Sequence, residues 1–188
     1  MNRNNVFLVG FMGSGKTAVY KEISPLVKSE NFDLDEEIIK KYGSIETIFE
    51  KEGEAHFRAL EQKNFSSIPN ENCLVALGGG SIENDIIFEK VINSSNAFYL
   101  MDNIENLWER IKDTDRPLVK KGKEEVIKLF NKRVSLYEKV LNKIDMSKTT
   151  ISEASEIVIE STWLKDARIK SYLFRKRRWA QLVFKKKL

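Results

Sequence analysis

The stretch Val6-Phe-Leu-Val-Gly10-Phe-Met-Gly-Ser-Gly-Lys-Thr17 decides the fold: four apolar residues run straight into a glycine-rich turn that ends in Lys-Thr. The apolar run reads as a buried strand and the residues after Gly15 as a helix. The turn between them matches the P-loop pattern at all its fixed positions. Glycines at 10, 13 and 15 admit backbone angles that a side chain forbids, so successive N–H groups can curl round phosphate oxygens at the helix N-terminus. Lys16 is then expected to reach the β and γ phosphates and Thr17 to sit on Mg²⁺. Nucleotide binding follows; the acceptor does not.

The rest of the 188 residues, 41% of them apolar, suffices for one good α/β core with a lid or tail and hardly for two domains. Strand-like runs recur at 6–9, at 73–77 and at 97–100, with a short one ending at Phe32 and a weak one near 144–146. Helical segments are expected at about 16–28, 35–42, 44–51, 55–67, 84–92, 103–112, 123–142 and 152–165. Such alternation argues for a parallel sheet wrapped by helices, with functional groups at the C-terminal ends of the strands. The charged stretch 112–123, with Pro117 and Gly122 and no apolar period, reads as a mobile loop.

Several chemistries are excluded by composition. The single cysteine, Cys73, lies in an apolar run and reads as a buried thiol, which removes disulfide frameworks and cysteine-based zinc sites and points to a reducing compartment. The single histidine, His56, leaves little for a histidine metal cluster or a Ser-His-Asp triad, and reads as a surface or packing residue. No run approaches the roughly 18 apolar residues of a membrane span, and the N-terminal apolar run is cut short by the P-loop, so a cytoplasmic protein is expected. Residues 163–188 hold 10 of the 32 basic and 1 of the 28 acidic residues, leaving 22 against 27 in the rest. The body is therefore mildly acidic and carries a basic, aromatic-rich tail. That tail is expected either to pack its aromatics on the body or a protein partner, or to contact an anionic surface.

Other groups gather behind the P-loop. Asp33 and Asp35 stand one residue apart at a strand end, where alternate side chains share a face. Both could look toward the phosphates, one serving the metal's water shell and one an attacking hydroxyl; alternatively Asp35 caps a helix that begins at Glu36. Arg58, with Glu61 three residues on, is either an exposed ion pair or a rigid fork for an anionic group. Gly78, Gly79 and Gly80 end the third strand and expose main chain to a ligand. Arg116 precedes Pro117, and Arg133 lies on the next helix.

In their order and spacing, GFMGSGKT, FDLDEEI, IFEKEGEAHFR, ALGGGS, DRPL and KRVSLYEKV resemble the shikimate kinase family over about residues 5–160. The resemblance implies a three-layer α/β/α P-loop kinase fold like that of nucleoside monophosphate kinases, with a five-stranded parallel sheet and a mobile lid at about 112–123. The kinase-like domain spans 1–162. It implies transfer of the γ-phosphate of ATP to the 3-hydroxyl of shikimate, in aromatic amino-acid biosynthesis, by a monomer that uses Mg²⁺ and needs no nucleic acid. By the same resemblance Lys16, Asp35 and Arg116 are catalytic. Gly13, Ser14, Gly15, Lys16, Thr17, Ala18, Arg110 and Arg116 bind ATP, with Arg110 stacking on adenine. Asp35, Phe49, Phe57, Arg58, Gly78, Gly79, Gly80 and Arg133 bind shikimate, while Thr17 ligates the metal and Asp33 supports it through water. Ala18 and Tyr20 depart from the family, which commonly has a second hydroxyl and a glycine there. The alternatives are a kinase for another small hydroxylated metabolite, gluconate-like, and a catalytically idle relative that binds a partner.

Overall fold

The computed structural model describes residues 4–164, so nearly all of the basic tail lies outside the described residues. Five strands form one parallel sheet: β1 (Val6–Val9), β2 (Glu30–Asp33), β3 (Cys73–Ala76), β4 (Ala97–Met101) and β5 (Asn142–Asp145), in the order β2-β3-β1-β4-β5. The P-loop strand β1 is central, with Leu8 opposite Ala76 on one side and Phe98 on the other.

Period-two alternation sorts the strand side chains onto two faces. Phe7, Val9, Cys73, Val75, Ala97 and Tyr99 point to one core, beneath α2 (Leu34–Tyr42), α3 (Ile45–Ser66), α4 (Asp85–Ile92), α5 (Ile104–Ile111) and α7 (Lys123–Tyr137). Val6, Leu8, Leu74, Ala76, Phe98 and Leu100 point to the other, beneath α1 (Lys16–Ile23) and α8 (Ile151–Ser161). Three layers result, as the resemblance implies. Trp163 and Leu164 pack onto this second core, and the Trp163 indole N–H donates to the Asn4 carbonyl at 2.6 Å. The body therefore continues two residues past 162.

Local chemistry sets the boundaries and corrects some expected ones. Pro25 ends α1 early, in a 3₁₀ turn over Ser24–Leu26. Gly53, at φ 83°, breaks α3 between the two helices expected there. The helix expected to run to residue 142 stops at Tyr137, because the chain must extend at Asn142 to join the sheet edge beside β4. The stretch 112–123 is not structureless: Pro117–Lys120 forms a short helix, α6, whose Val119 is buried in the first core. Its apolar anchors, Leu118 and Val119, are too few to show a period in the sequence.

Helix starts also position the site. Side chains of Asp33, Ser44, Asn84, Asn103 and Thr150 cap α2, α3, α4, α5 and α8. At α1 the capping position is Gly15, with no capping side chain and no acid in the first turn. Its first N–H groups are left facing outward, at the positive end of the helix dipole.

Leu74 is fully buried in the second core, whereas Leu141 is 68% exposed. Leu74→Ala is expected to lower unfolding free energy by about 2–5 kcal/mol, and Leu141→Ala by less than about 0.5 kcal/mol, measured by urea denaturation.

Candidate active site

All five strands run the same way, so the segments leaving their C-terminal ends share one edge of the sheet. The P-loop follows β1, Asp33 ends β2, the triple glycine follows β3 and Asp102 follows β4.

The P-loop lysine is buried, and its Nζ donates to the carbonyls of Gly10 (2.8 Å) and Phe11 (2.9 Å). Burial lowers its pKa from 10.5 to about 8; the charge of Asp35 pulls the other way, Arg116 adds to the lowering, and Asp33 and Arg133 act more weakly. Residues as far apart in sequence as Lys16 and Arg133 thus share one electrostatic neighbourhood. Thr17 is exposed at the mouth of the loop, and its hydroxyl donates to Asp33 Oδ2 at 2.9 Å. The Ser14 hydroxyl is buried and has no partner among the described residues. Ala18 is exposed beside Thr17. Tyr20 is half-buried and packs on the α1/α8 core, which accommodates the ring where a glycine was expected.

Of the two sequence expectations for the aspartates, the structure overturns the one that made Asp35 a helix cap. Helix α2 begins at Leu34 and its cap is Asp33, whose Oδ1 accepts the Glu36 N–H at 3.3 Å while Oδ2 holds Thr17. Asp35 caps nothing. It lies in the first turn of α2, with its carboxylate against Gly78, and its pKa rises from 3.8 to about 6. Burial is the main cause; the neighbouring Glu61 carboxylate adds to it, and Lys16 opposes it.

The triple glycine lies directly against several of these groups. A Cβ on Gly78 would stand 2.6 Å from Glu61 Oε1 and 2.7 Å from Asp35 Oδ1, and one on Gly80 would meet Arg58 Nη2 at 2.2 Å. Only glycine lets three charged side chains lie on the main chain here. The Arg58–Glu61 pair is not the solvated pair that its spacing most often gives: Glu61 is 1% exposed and accepts Arg58 Nη1 at 2.8 Å and the Ser81 hydroxyl at 2.5 Å. Phe57 is buried beneath the Arg58 guanidinium, which lies 5.3 Å from the ring centre, and Phe49 packs on Phe57. His56 is an ordinary surface residue, paired with Glu52.

Arg133 is buried and held by Glu83, whose Oε2 accepts from its Nε (2.7 Å) and Nη2 (2.5 Å), while Lys132 binds Oε1 at 2.8 Å. Tyr137, one helical turn on, donates its hydroxyl to the Gly79 carbonyl. Arg116 is exposed, precedes α6 and has no ion pair among the described residues, yet its charge reaches both Lys16 and Asp35. Arg110 lies against the P-loop, bonded to the Gly13 carbonyl and to Asp102. Sequence reading missed Glu83, Tyr137 and Asp102. Asp102 carried a usable signal, an acid just past a strand's C-terminal end; the other two are recognisable only by what they touch.

For a divalent cation, Thr17 and Asp33 offer one hydroxyl and one carboxylate. That sparse hard-oxygen set fits Mg²⁺, which keeps several waters and takes phosphate oxygens as its remaining ligands.

A family model described as shikimate kinase matches residues 12–162. The chain belongs to the shikimate kinase family. It is 34% identical over 169 residues to the shikimate kinase of Caldicellulosiruptor bescii, covering 87% of this chain and 98% of that one. Against the bifunctional shikimate kinase/3-dehydroquinate synthase of Thermotoga maritima it is 34% identical over 156 residues, 82% of this chain but only 31% of that protein's length. Among solved structures, the shikimate kinase from Acinetobacter baumannii in complex with shikimate superposes with a TM-score of 0.72 at 30% identity, over 84% of this chain and 91% of that one. As a family member the chain is an ATP-dependent kinase of the shikimate pathway, and the gluconate-like and idle-protein alternatives are not favoured. No helix among the described residues is long and apolar enough to cross a membrane.

Two outcomes follow from this geometry. The Asp35 carboxyl holds its proton more tightly in the folded chain, at about 6, than at its ordinary 3.8, so the ionised group costs stability above pH 6 and that cost fades as the pH falls toward 4. Asp35→Asn is therefore expected to raise Tm at pH 7.5 and to leave it nearly unchanged at pH 4, by thermal denaturation at both values. Gly80→Ala is expected to push the Arg58 guanidinium aside, raising the acceptor KM with little change in the ATP KM.

Proposed function

We propose that this chain transfers the γ-phosphate of ATP to the 3-hydroxyl of shikimate, giving shikimate 3-phosphate and ADP, as a monomer in the cytoplasm. The observation that carries the reading is the triple glycine: Asp35 and Glu61 lie against Gly78 and the Arg58 guanidinium against Gly80, while the charge of Asp35 reaches the P-loop lysine. A phosphate cradle and an anion clamp are thereby brought close together.

In this reading the protein positions reactants and balances negative charge, and forms no covalent intermediate. Gly13, Ser14, Gly15 and the uncapped first turn of α1 bind the phosphates, with Ala18 beside them. Lys16 spends two of its three N–H groups on loop carbonyls and has one for a phosphate oxygen. Arg116 supplies a second cation when α6 and its flanks act as a lid, and lid closure excludes the water that would otherwise hydrolyse ATP. Arg110 contacts the nucleotide. Mg²⁺, held by Thr17 and by Asp33 through water, would shield and orient the β and γ phosphates.

At the acceptor, Arg58 and Arg133 grip the carboxylate, and Gly78, Gly79 and Gly80 give main-chain contacts. Phe49 and Phe57 form the apolar side. Asp35 orients the reacting hydroxyl and takes its proton: a carboxyl with a pKa near 6 is a stronger base than an ordinary aspartate and is still ionised at neutral pH. Glu61 fixes Arg58, as its two hydrogen bonds suggest.

A coupled ADP-release assay on purified protein with shikimate, with gluconate and with no acceptor tests the reading. Turnover is expected with shikimate alone; activity confined to the other two conditions would overturn it. Arg58→Ala is expected to raise the acceptor KM far more than the ATP KM, and Lys16→Ala to abolish turnover. Equal effects of Arg58→Ala on both substrates, or a normal rate for Lys16→Ala, would contradict the assigned roles.

A further inference from the structure

Asp102 follows β4, and its carboxylate is wholly withdrawn from solvent, yet no step above uses it. A buried carboxylate persists only when its oxygens find donors. Here Oδ1 accepts the backbone N–H of Asn103 and the side-chain amide of Asn106, both at 2.8 Å, and Oδ2 accepts Arg110 Nη2 at 2.5 Å. The other arm of that guanidinium, Nη1, donates to the Gly13 carbonyl of the P-loop at 3.1 Å. One planar fork thus bridges the end of β4 and the phosphate cradle.

An ion pair with both partners in water contributes little, because either side chain can leave. This pair is one-sided: Arg110 is 43% exposed, but its departure would strand a buried charge. A long, flexible side chain on the surface of α5 is thereby pinned in one orientation. It is pinned where the loop is most constrained. Gly13 has φ +80°, and a Cβ there would lie 2.8 Å from Ile111 Cγ2 and 3.2 Å from the Leu107 carbonyl. Loop and helix are already in contact, and the guanidinium ties them.

We propose that Asp102 is a positioning residue for nucleotide binding: through Arg110 it clamps the Gly13 turn of the P-loop against α5, so that the phosphate cradle stands formed before its ligand arrives. The gain is in pre-organisation, since a loop already ordered loses less freedom on binding. The proposal rests on the kinase reading for the identity of the ligand. It differs from a role of Arg110 toward the base, because a clamp on the loop acts on phosphate groups whether or not adenine is attached.

The test is calorimetric binding of ADP and of inorganic pyrophosphate to the full chain, with steady-state kinetics beside it, for the parent, Asp102→Asn and Arg110→Lys. Asp102→Asn is expected to weaken both ligands by about tenfold, the scale of one lost charge-assisted hydrogen bond. The ATP KM should rise in step, with the shikimate KM unchanged. Arg110→Lys keeps a cation beside Asp102 but cannot span to Gly13, and is expected to weaken pyrophosphate as well. Weaker ADP with unaltered pyrophosphate would place the effect at the base and overturn the clamp. So would equal rises in both KM values accompanied by a fall in Tm, the mark of general damage. If Asp102→Asn does not fold, Arg110→Lys decides, and unaltered pyrophosphate binding there overturns the proposal. A parent that binds both ligands, responds as expected to the two variants and yet phosphorylates no shikimate would fault the assigned reaction while supporting the clamp.

Discussion

Parallel pairing of β1 between β3 and β4 is the constraint on which everything else in this structure depends. A parallel sheet brings every strand's C-terminal end to one edge, and at or beyond those ends stand Lys16, Asp33, the triple glycine and Asp102. With apolar layers on both faces, that edge is where main chain can leave the sheet with its polar groups unpaired by neighbouring strands. The charges meet there at low solvation, which is why Lys16 and Asp35 depart so far from their ordinary pKa values, in opposite directions and each toward its neutral form.

Arginines in such a place need anchors, and three of the four here have them. Arg58 is fixed by a buried glutamate that is itself fixed by Ser81, and Arg133 by Glu83, which also binds Lys132. Arg110 is tied to a buried aspartate and to the loop carbonyl. Arg116 alone has no ion-pair partner among the described residues, and it sits at the start of the short α6 rather than on a long helix. Rigid forks suit recognition of a carboxylate or a base, whose positions do not change during the reaction. In the proposed reaction, a cation that follows a moving phosphate would be better left untethered.

Much of this was legible from the chain. Strand positions followed from short apolar runs, and the P-loop followed from glycine spacing, because both signals are local. What left readings open was also local: Asp35 could be a cap or a site residue until the helix is seen to begin one residue before it, with Asp33 serving both the helix and Thr17. The stretch around Pro117 reads as loop because two buried residues make no period. Arg58 with Glu61 could be read as an exposed pair or as a fork for an anion, since spacing reports which side chains are neighbours and not how much water surrounds them.

Sequence alone determined the order of the strands and the longer helices, the phosphate-binding turn and the family to which the chain belongs, because these depend on residue types at fixed short separations. Tertiary structure alone decided that Gly78 lies between Asp35 and Glu61, that Glu83 holds Arg133, and that Asp102 reaches the P-loop through Arg110. Those contacts join residues tens of positions apart, and they exist only because helix packing and parallel pairing bring distant segments to the same sheet edge, where burial converts proximity into electrostatic coupling.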